Sequence, residues 1–120
     1  MRPNRRRRGL SAEDLAARYL EQRGIRILER NFTTRQGEID LIGRDGDVWV
    51  FVEVRSLSPE AAFHPLQTLR PRKLQHLRRA IELYLYRHGL TGQATVRLDV
   101  VTVIWSQPPR IEHLPDAYRW

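Results

Sequence analysis

The chain contains no cysteine, which excludes a disulfide framework and a zinc–thiolate site. No apolar run approaches the ~20 residues that a membrane-spanning helix needs. The basic N-terminus is not followed by the apolar segment of a secretory signal. These absences predict a cytoplasmic protein without membrane segments.

Lysine is also scarce, because Lys73 is the only lysine among 21 basic residues. The formal net charge of +7 suggests a polyanionic partner, although much of the excess comes from five arginines within residues 1–8. We expect residues 1–10 to form a flexible basic arm that contacts phosphates through Arg5, Arg6, Arg7 and Arg8. A solvated terminus without a partner explains the same charge run equally well.

Length and patterning predict a single α/β domain over residues 11–120, since 120 residues with 41% hydrophobic content suffice for one core. The predicted elements are a helix over 11–23, a strand over 25–32, a hairpin around 45–46, a helix over 71–88 that Gly89 ends, a strand over 95–105 and a short edge strand over 111–113. Residues 56–70 read as irregular. This α-β-β-β-α-β(-β) order predicts a sandwich in which helices flank a mixed central β-sheet.

Two polar segments, Gly37-Glu38-Ile39-Asp40 and Glu53-Val54-Arg55, interrupt the otherwise apolar hairpin. A turn centred between Asp45 and Gly46 would place Glu38 opposite Glu53, Asp40 opposite Phe51 and Gln36 opposite Arg55. Because strand side chains alternate, the acids would share one face, with Asp40 and Glu53 as diagonal neighbours. The opposite face, which carries Val48, Val50, Val52, Val54, Ile39 and Leu41, is predicted to pack on a core.

Carboxylates grouped in this way either raise their own pKa values or bind a hard cation such as Mg²⁺ through their oxygen atoms. The alternative is a salt-bridged strand end in which Arg55 and Gln36 neutralise the acids. The spacing alone leaves both interpretations open.

Asp40, twelve further residues and then Glu53-Val54-Arg55 resemble the PD-(D/E)xK nuclease signature, with Arg55 where those enzymes usually carry lysine. Together, Gly37-Glu38-Ile39-Asp40-Leu41-Ile42 and Val50-Phe51-Val52-Glu53-Val54-Arg55 are similar to the YraN family, small bacterial proteins of undetermined role. The resemblance extends to Glu13, Tyr19-Leu20, Asn31-Phe32, Pro71-Arg72-Lys73, residues 97–101 and residues 111–118.

The resemblance implies a restriction-endonuclease-like fold, similar to that of archaeal Holliday-junction resolvases, but it brings no established activity. Our leading hypothesis is metal-dependent hydrolysis of phosphodiester bonds, with branched DNA as one substrate. Asp40 and Glu53 would bind one or two Mg²⁺ ions, for which Mn²⁺ could substitute, and Glu38 and Glu13 would complete the metal shell. Glu13 also fits a plain interaction with a helix N-terminus. Arg55 stays protonated and would hold the attacked phosphate. Resolvase-like symmetry would need a homodimer.

The second helix presents a basic side that includes Arg72 and Lys73, which we predict to contact nucleic acid, although the wet side of an amphipathic helix looks the same. A catalytically inactive nucleic-acid-binding module is the alternative function. A third is a protein-interaction domain that uses the C-terminal edge strand with Tyr118 and Trp120. Asp99 is predicted to be a structural hydrogen-bonding group, and the scattered histidines show no metal-site spacing.

Overall fold

The computed structural model describes residues 10–61 and 69–118. Its elements are α1 (Ala12–Gln22), β1 (Arg26–Thr33), β2 (Glu38–Asp45), β3 (Val48–Leu57), a short 3-10 turn (Pro59–Ala61), α2 (Pro71–Arg87), β4 (Thr95–Ile104) and β5 (Arg110–Tyr118). The predicted order of helices and strands is confirmed. The predicted basic arm at Arg5–Arg8, together with His64 and Trp120, lies outside the described residues.

The five strands form one mixed sheet in the order β1-β2-β3-β4-β5. Every neighbouring pair is antiparallel except β3 and β4, which are parallel and are joined by the connection that contains α2. A parallel pair needs such a crossover, because a tight turn can join only antiparallel strands. The strand order places β3 in the centre of the sheet, as its apolar sequence predicts.

Helices cover both faces of the sheet, and each face has its own apolar cluster. On the α1 side, Ala16, Ala17 and Leu20 pack with Leu41, Val50, Val52 and other buried residues. On the α2 side, Leu74, Leu77, Ala80, Ile81 and Tyr84 pack with Phe32, Ile39, Ile42, Phe51 and Leu98. This two-sided burial explains why β3 is apolar on both faces.

The hairpin register differs from the prediction. The two-residue turn is Gly46-Asp47, not Asp45-Gly46, and Asp45 pairs with Val48. Gly46 has a φ of +59° and takes the first loop position, where hairpins with a glycine often place it. Asp40 and Glu53 lie just beyond the last pair of this ladder, Leu41 with Val52, and their carboxyl groups interact.

Strict alternation predicted that Ile39 would share a face with the hairpin valines. In the structure it lies on the opposite face of the sheet. The ladder between β2 and β3 ends at Leu41 and Val52, whereas β2 remains paired with β1 through Ile39 opposite Phe32. Beyond Leu41 the strand β2 is therefore free to twist away from β3. Ile39 consequently packs in the α2-side cluster.

Two further elements differ in extent from the prediction. Ser56 and Leu57 were predicted to be irregular but continue β3. The edge strand β5 is nine residues long, and its pairing with β4 extends to Tyr118, which lies opposite Leu98. In the last turns of α2, helical spacing predicts that Leu85 is buried. Instead Tyr84 is deeply buried there, and Leu85 is only partly buried. Within residues 10–61 and 69–118, no helix is both long and apolar enough to cross a membrane.

Candidate functional site

Asp40 lies where β2 and β3 part, and a main-chain hydrogen bond fixes its orientation. The amide of Val54 donates to Oδ2 of Asp40 at 2.7 Å. A partly buried main-chain donor that has no partner in the neighbouring strand needs another acceptor, and the carboxylate supplies it. The predicted site residue is thus anchored to β3, one residue beyond Glu53.

The carboxyl groups of Asp40 and Glu53 interact directly, just beyond the end of the ladder between β2 and β3. Burial, followed by the charge of Glu53 and then that of Glu38, raises the pKa of Asp40 to about 6, against the lowering effect of the Val54 amide. Glu53 is only 4% exposed. Two carboxylates held together in a poorly solvated site form an environment that favours a proton or a cation.

Two basic side chains, Arg55 and Lys73, contact Glu53. The sequence predicts Lys73 only as a contact for nucleic acid. Nζ of Lys73, from the first turn of α2, lies 3.4 Å from Oε2 of Glu53, and Nη1 of Arg55 lies 3.6 Å from the same oxygen. The only lysine of the chain therefore borders the carboxylate pair. Its rarity in an arginine-rich sequence was the one sequence signal that singled it out.

Close approach of α2 to the start of β2 brings Lys73 into this position. A Cβ atom added at Gly37 would lie 3.1 Å from both the Cβ and the carbonyl oxygen of His76. Only a residue without a side chain allows this distance without a shift of the helix. Gly37 thus belongs to the polar segment for a packing reason.

Glu13 borders the site from α1. Ser11 and Asp14 form a capping box at the helix start, which sets Glu13 in the first turn. Its Oε1 accepts a hydrogen bond from Nδ2 of Asn31 at 3.2 Å and lies 3.7 Å from Nη1 of Arg30. Burial raises the pKa of Glu13, the Asp40 charge adds to this effect, and Arg30 and Asn31 oppose it.

Glu38 is exposed at the beginning of β2, opposite Thr33 of β1. Its charge contributes to the raised pKa of Asp40. The four predicted acids are therefore electrostatically connected, but only Asp40 and Glu53 are joined as a pair.

The donor set fits a cation that needs few protein ligands. In the part of the chain that the structure describes, no three carboxylate or imidazole groups are close enough to enclose a metal ion. Mg²⁺ does not require such a cage, because it keeps several waters and commonly binds one or two carboxylates together with substrate phosphates. The Asp40–Glu53 pair meets this requirement, with Glu13 and Glu38 nearby.

Asp99 is absent from this site, and its predicted structural role is confirmed. It is fully buried and accepts hydrogen bonds from Nε of Arg97 at 2.9 Å and from the Asp116 amide at 3.0 Å, while Nε2 of His113 lies 2.7 Å away. These contacts join β4 to β5. Arg72 is exposed beside Lys73 at the start of α2.

The fold and the site define an α/β protein with a carboxylate pair on its central strands, bordered by the first turns of both helices. The model of the uncharacterised protein family UPF0102 matches residues 12–103. The chain belongs to this family, also called the YraN family, as its sequence motifs predicted.

Similar proteins are spread over distant bacteria. A UPF0102 protein of Anaeromyxobacter dehalogenans is 46% identical over 111 residues, which cover 92% of this chain and 82% of the relative. A UPF0102 protein of Streptomyces griseus is 44% identical over 96 residues, covering 80% and 81% of the two chains. One from Pseudomonas aeruginosa is 39% identical over 120 residues, covering 98% and 96%.

Proposed function

We propose that this protein is a metal-dependent nuclease that hydrolyses phosphodiester bonds of nucleic acid, with DNA, including branched DNA, as the expected substrate. One observation carries the proposal: Asp40 and Glu53, from adjacent strands, form a carboxylate pair in which the pKa of Asp40 is raised to about 6 by burial and by its neighbour. A structural role alone would be served better by a neutral or apolar pair, because two adjacent buried acids destabilise each other.

Each side chain of the site has a defined task in this proposal. Asp40, oriented by the Val54 amide, and Glu53 would hold Mg²⁺ or Mn²⁺. The bound ion would supply Lewis-acid activation of water and of the phosphate. Arg55 and Lys73, both within 4 Å of Glu53, would offset the negative charge that develops on the attacked phosphate. The guanidinium of Arg55 accepts no proton, so it serves as a donor only.

The second candidate is a catalytically inactive module that binds nucleic acid, and a specific contact supports it. Both Arg55 and Lys73 lie beside Oε2 of Glu53, so its charge is compensated without a metal ion. Such a module would bind nucleic acid in EDTA and would lose affinity as salt rises, without turnover.

A cleavage panel separates the two functions. Labelled branched, flapped, single-stranded and duplex DNA and matched RNA are incubated with the protein in Mg²⁺, Mn²⁺ or EDTA, beside the variants Asp40→Asn and Glu53→Gln. Asp47→Asn is the matched control, because the Asp47 side chain is fully exposed in the hairpin turn. We expect metal-dependent cleavage that both site variants reduce by at least about a hundredfold.

Cleavage that persists in both site variants would contradict the nuclease proposal and point to a contaminant. Absence of cleavage with retained binding in EDTA would favour the binding module. Paramagnetic titration with Mn²⁺ gives a readout independent of activity, in which Asp40→Asn should weaken metal binding and Asp47→Asn should not. Sedimentation with and without a branched substrate tests the homodimer that a two-fold symmetric substrate would require.

A further inference from the structure

An open cavity of about 320 Å³ lies beside the carboxylate pair, and the described residues that line it are four cationic side chains and one histidine. The lining residues come from the end of β3 and from the approach and first turns of α2, and they are Arg55, Arg70, Arg72, Lys73 and His76. We call this cavity the basic pocket. Arg55 and Lys73 belong both to the basic pocket and to the surroundings of Glu53, so the two sites are contiguous.

Positive charge in the basic pocket is only partly compensated. Arg55 and Lys73 share the single carboxylate of Glu53. Arg70 and Arg72 form no ion pair with any carboxylate of residues 10–61 or 69–118. Arg70 and Arg72 therefore add two cations that no carboxylate of the described residues pairs, and a concave wall concentrates their field on whatever occupies the cavity.

The position of these cations on α2 increases the imbalance. A helix N-terminus carries partial positive charge and normally has acidic residues nearby, as α1 has with Glu13 and Asp14. The first turn of α2 has no acidic residue, and its N-cap, Arg70, makes no side-chain capping bond. Basic side chains at this end of a helix oppose its dipole, and an anion bound among them offsets this cost.

We propose that the basic pocket binds a phosphate group of the substrate strand, next to the phosphate that a metal ion at Asp40 and Glu53 would hold. The inference rests on the proposed function for the identity of the anion as nucleic acid. Guanidinium groups match phosphate oxygens in bidentate geometry, and an ammonium adds a point charge, which is the combination present here. The phosphate comes either from the next phosphodiester of the strand or from a strand terminus.

Binding is measured in EDTA, so that it is independent of catalysis and metal. The full chain is titrated with inorganic phosphate and with short single strands that carry a 5′-phosphate, a 3′-phosphate or hydroxyl ends, by calorimetry at several salt concentrations. The double variant Arg70→Gln/Arg72→Gln removes two charges from the basic pocket and leaves both partners of Glu53 in place. Arg78→Gln/Arg79→Gln is the matched control, since it removes two charges from exposed positions of the same helix outside the pocket.

We expect the pocket variant to bind single strands at least about tenfold more weakly and to show a salt slope lower by about 0.7, since the pocket contacts one phosphate and each phosphate neutralised on a single strand contributes about 0.7. The control should stay within about twofold of the unmodified chain. A preference of about tenfold for one phosphorylated end would identify a terminal phosphate as the ligand. Equal affinity for phosphorylated and hydroxyl ends, with the same loss in the pocket variant, would identify the internal phosphodiester.

Equal binding by the pocket and control variants would overturn the proposal. This outcome is distinguishable from failure of the nuclease function. If Asp40→Asn abolishes cleavage while the pocket variant binds and cleaves like its control, the nuclease proposal stands and the basic pocket does not bind phosphate. If no substrate is cleaved but the pocket variant loses binding, the reverse holds.

Discussion

The amide of Val54 donates a 2.7 Å hydrogen bond to the carboxylate of Asp40, beyond the point where the ladder between β2 and β3 has ended. The bond holds Asp40 against Glu53 although the two strands diverge. Like charges that repel in a hairpin would otherwise rotate toward solvent. A main-chain hydrogen bond thus fixes the geometry of the candidate site, and the folded protein is less stable because the two carboxylates repel each other.

The first prediction concerns the pH dependence of stability. The pKa of Asp40 is about 6 in the folded protein and near 3.8 in the unfolded chain, mainly because of burial. Between these values the folded state keeps a proton that the unfolded chain has lost, so stability falls as pH rises through this window. Asparagine retains an acceptor for Val54 without the charge. We therefore expect Asp40→Asn to be more stable than the unmodified chain at pH 7 by about 1–2 kcal/mol, after allowance for partial exposure.

Urea unfolding from pH 4 to pH 8 tests this prediction as the difference between the two proteins. The difference should grow from pH 4 to pH 6 and then stay constant. Asp47→Asn, at the exposed turn, should follow the unmodified chain at every pH. A constant difference over the whole range would show that the Asp40 charge has no part in it.

The second prediction concerns the arginine that replaces the lysine of the resembled signature. Lys73 already provides an ammonium beside Glu53, so lysine at position 55 adds no new group and loses the guanidinium fork. We expect Arg55→Lys to reduce kcat/KM for the cleaved substrate about tenfold, the equivalent of one charge-assisted hydrogen bond. Arg78→Lys, at an exposed site on α2, is the control. Faster cleavage by Arg55→Lys would instead mean that Lys73 does not supply the role of the missing lysine.

The third prediction compares two acids that contact the same arginine. Arg97 bonds to Asp99, which is fully buried, and to Asp45, whose side chain is 47% exposed. Asp99→Asn should destabilise the protein by about 2–3 kcal/mol, because a single amide oxygen replaces the two carboxylate oxygens that accept from Arg97 and the Asp116 amide, and Arg97 keeps only its exposed partner Asp45. Asp45→Asn should cost at most about 1 kcal/mol. Equal free energies of unfolding for the two variants, in urea at pH 7, would refute a structural role for Asp99.

The fourth prediction separates backbone from side chain at Asn31. This residue has a φ of +56°, in the left-handed region, and its amide group donates to Glu13. Glycine accepts this conformation and alanine does not, so Asn31→Ala should be less stable than Asn31→Gly by about 1–2 kcal/mol. Thermal unfolding of both variants measures the difference. Identical transition temperatures would exclude backbone strain as the reason for asparagine here.

Much of the fold was predictable from local patterns. Ser11 before an apolar helical stripe and Pro71 before another marked both helix starts, and the run around Val50 marked the central strand. The sharing of one site by Asp40 and Glu53 was also predictable, since an error of two residues in register keeps the same alternation of faces. The exact register depends on whether Gly46 takes the first or the second position of the turn. The dipeptide Asp45-Gly46 does not specify this position.

The partners of the site residues were not predictable. Lys73 contacts Glu53 from a helix that packs closely over Gly37, and Asn31, whose backbone has a positive φ, donates to Glu13. Both contacts depend on how elements distant in the chain pack together. Local propensity carries no information about that packing.

The outer strands of the sheet have a consequence for aggregation. In the described sheet, β1 has a pairing irregularity after Ile27, and β5 contains Pro115, which lacks an N–H, followed by Asp116 with a φ of +50°. Such features break the flat row of donors and acceptors to which a foreign strand would add. The chain should therefore resist sheet-to-sheet fibre growth at concentrations where a flat-edged sheet of the same size would polymerise, and a partner protein would bind more readily to its faces or loops than to its edges.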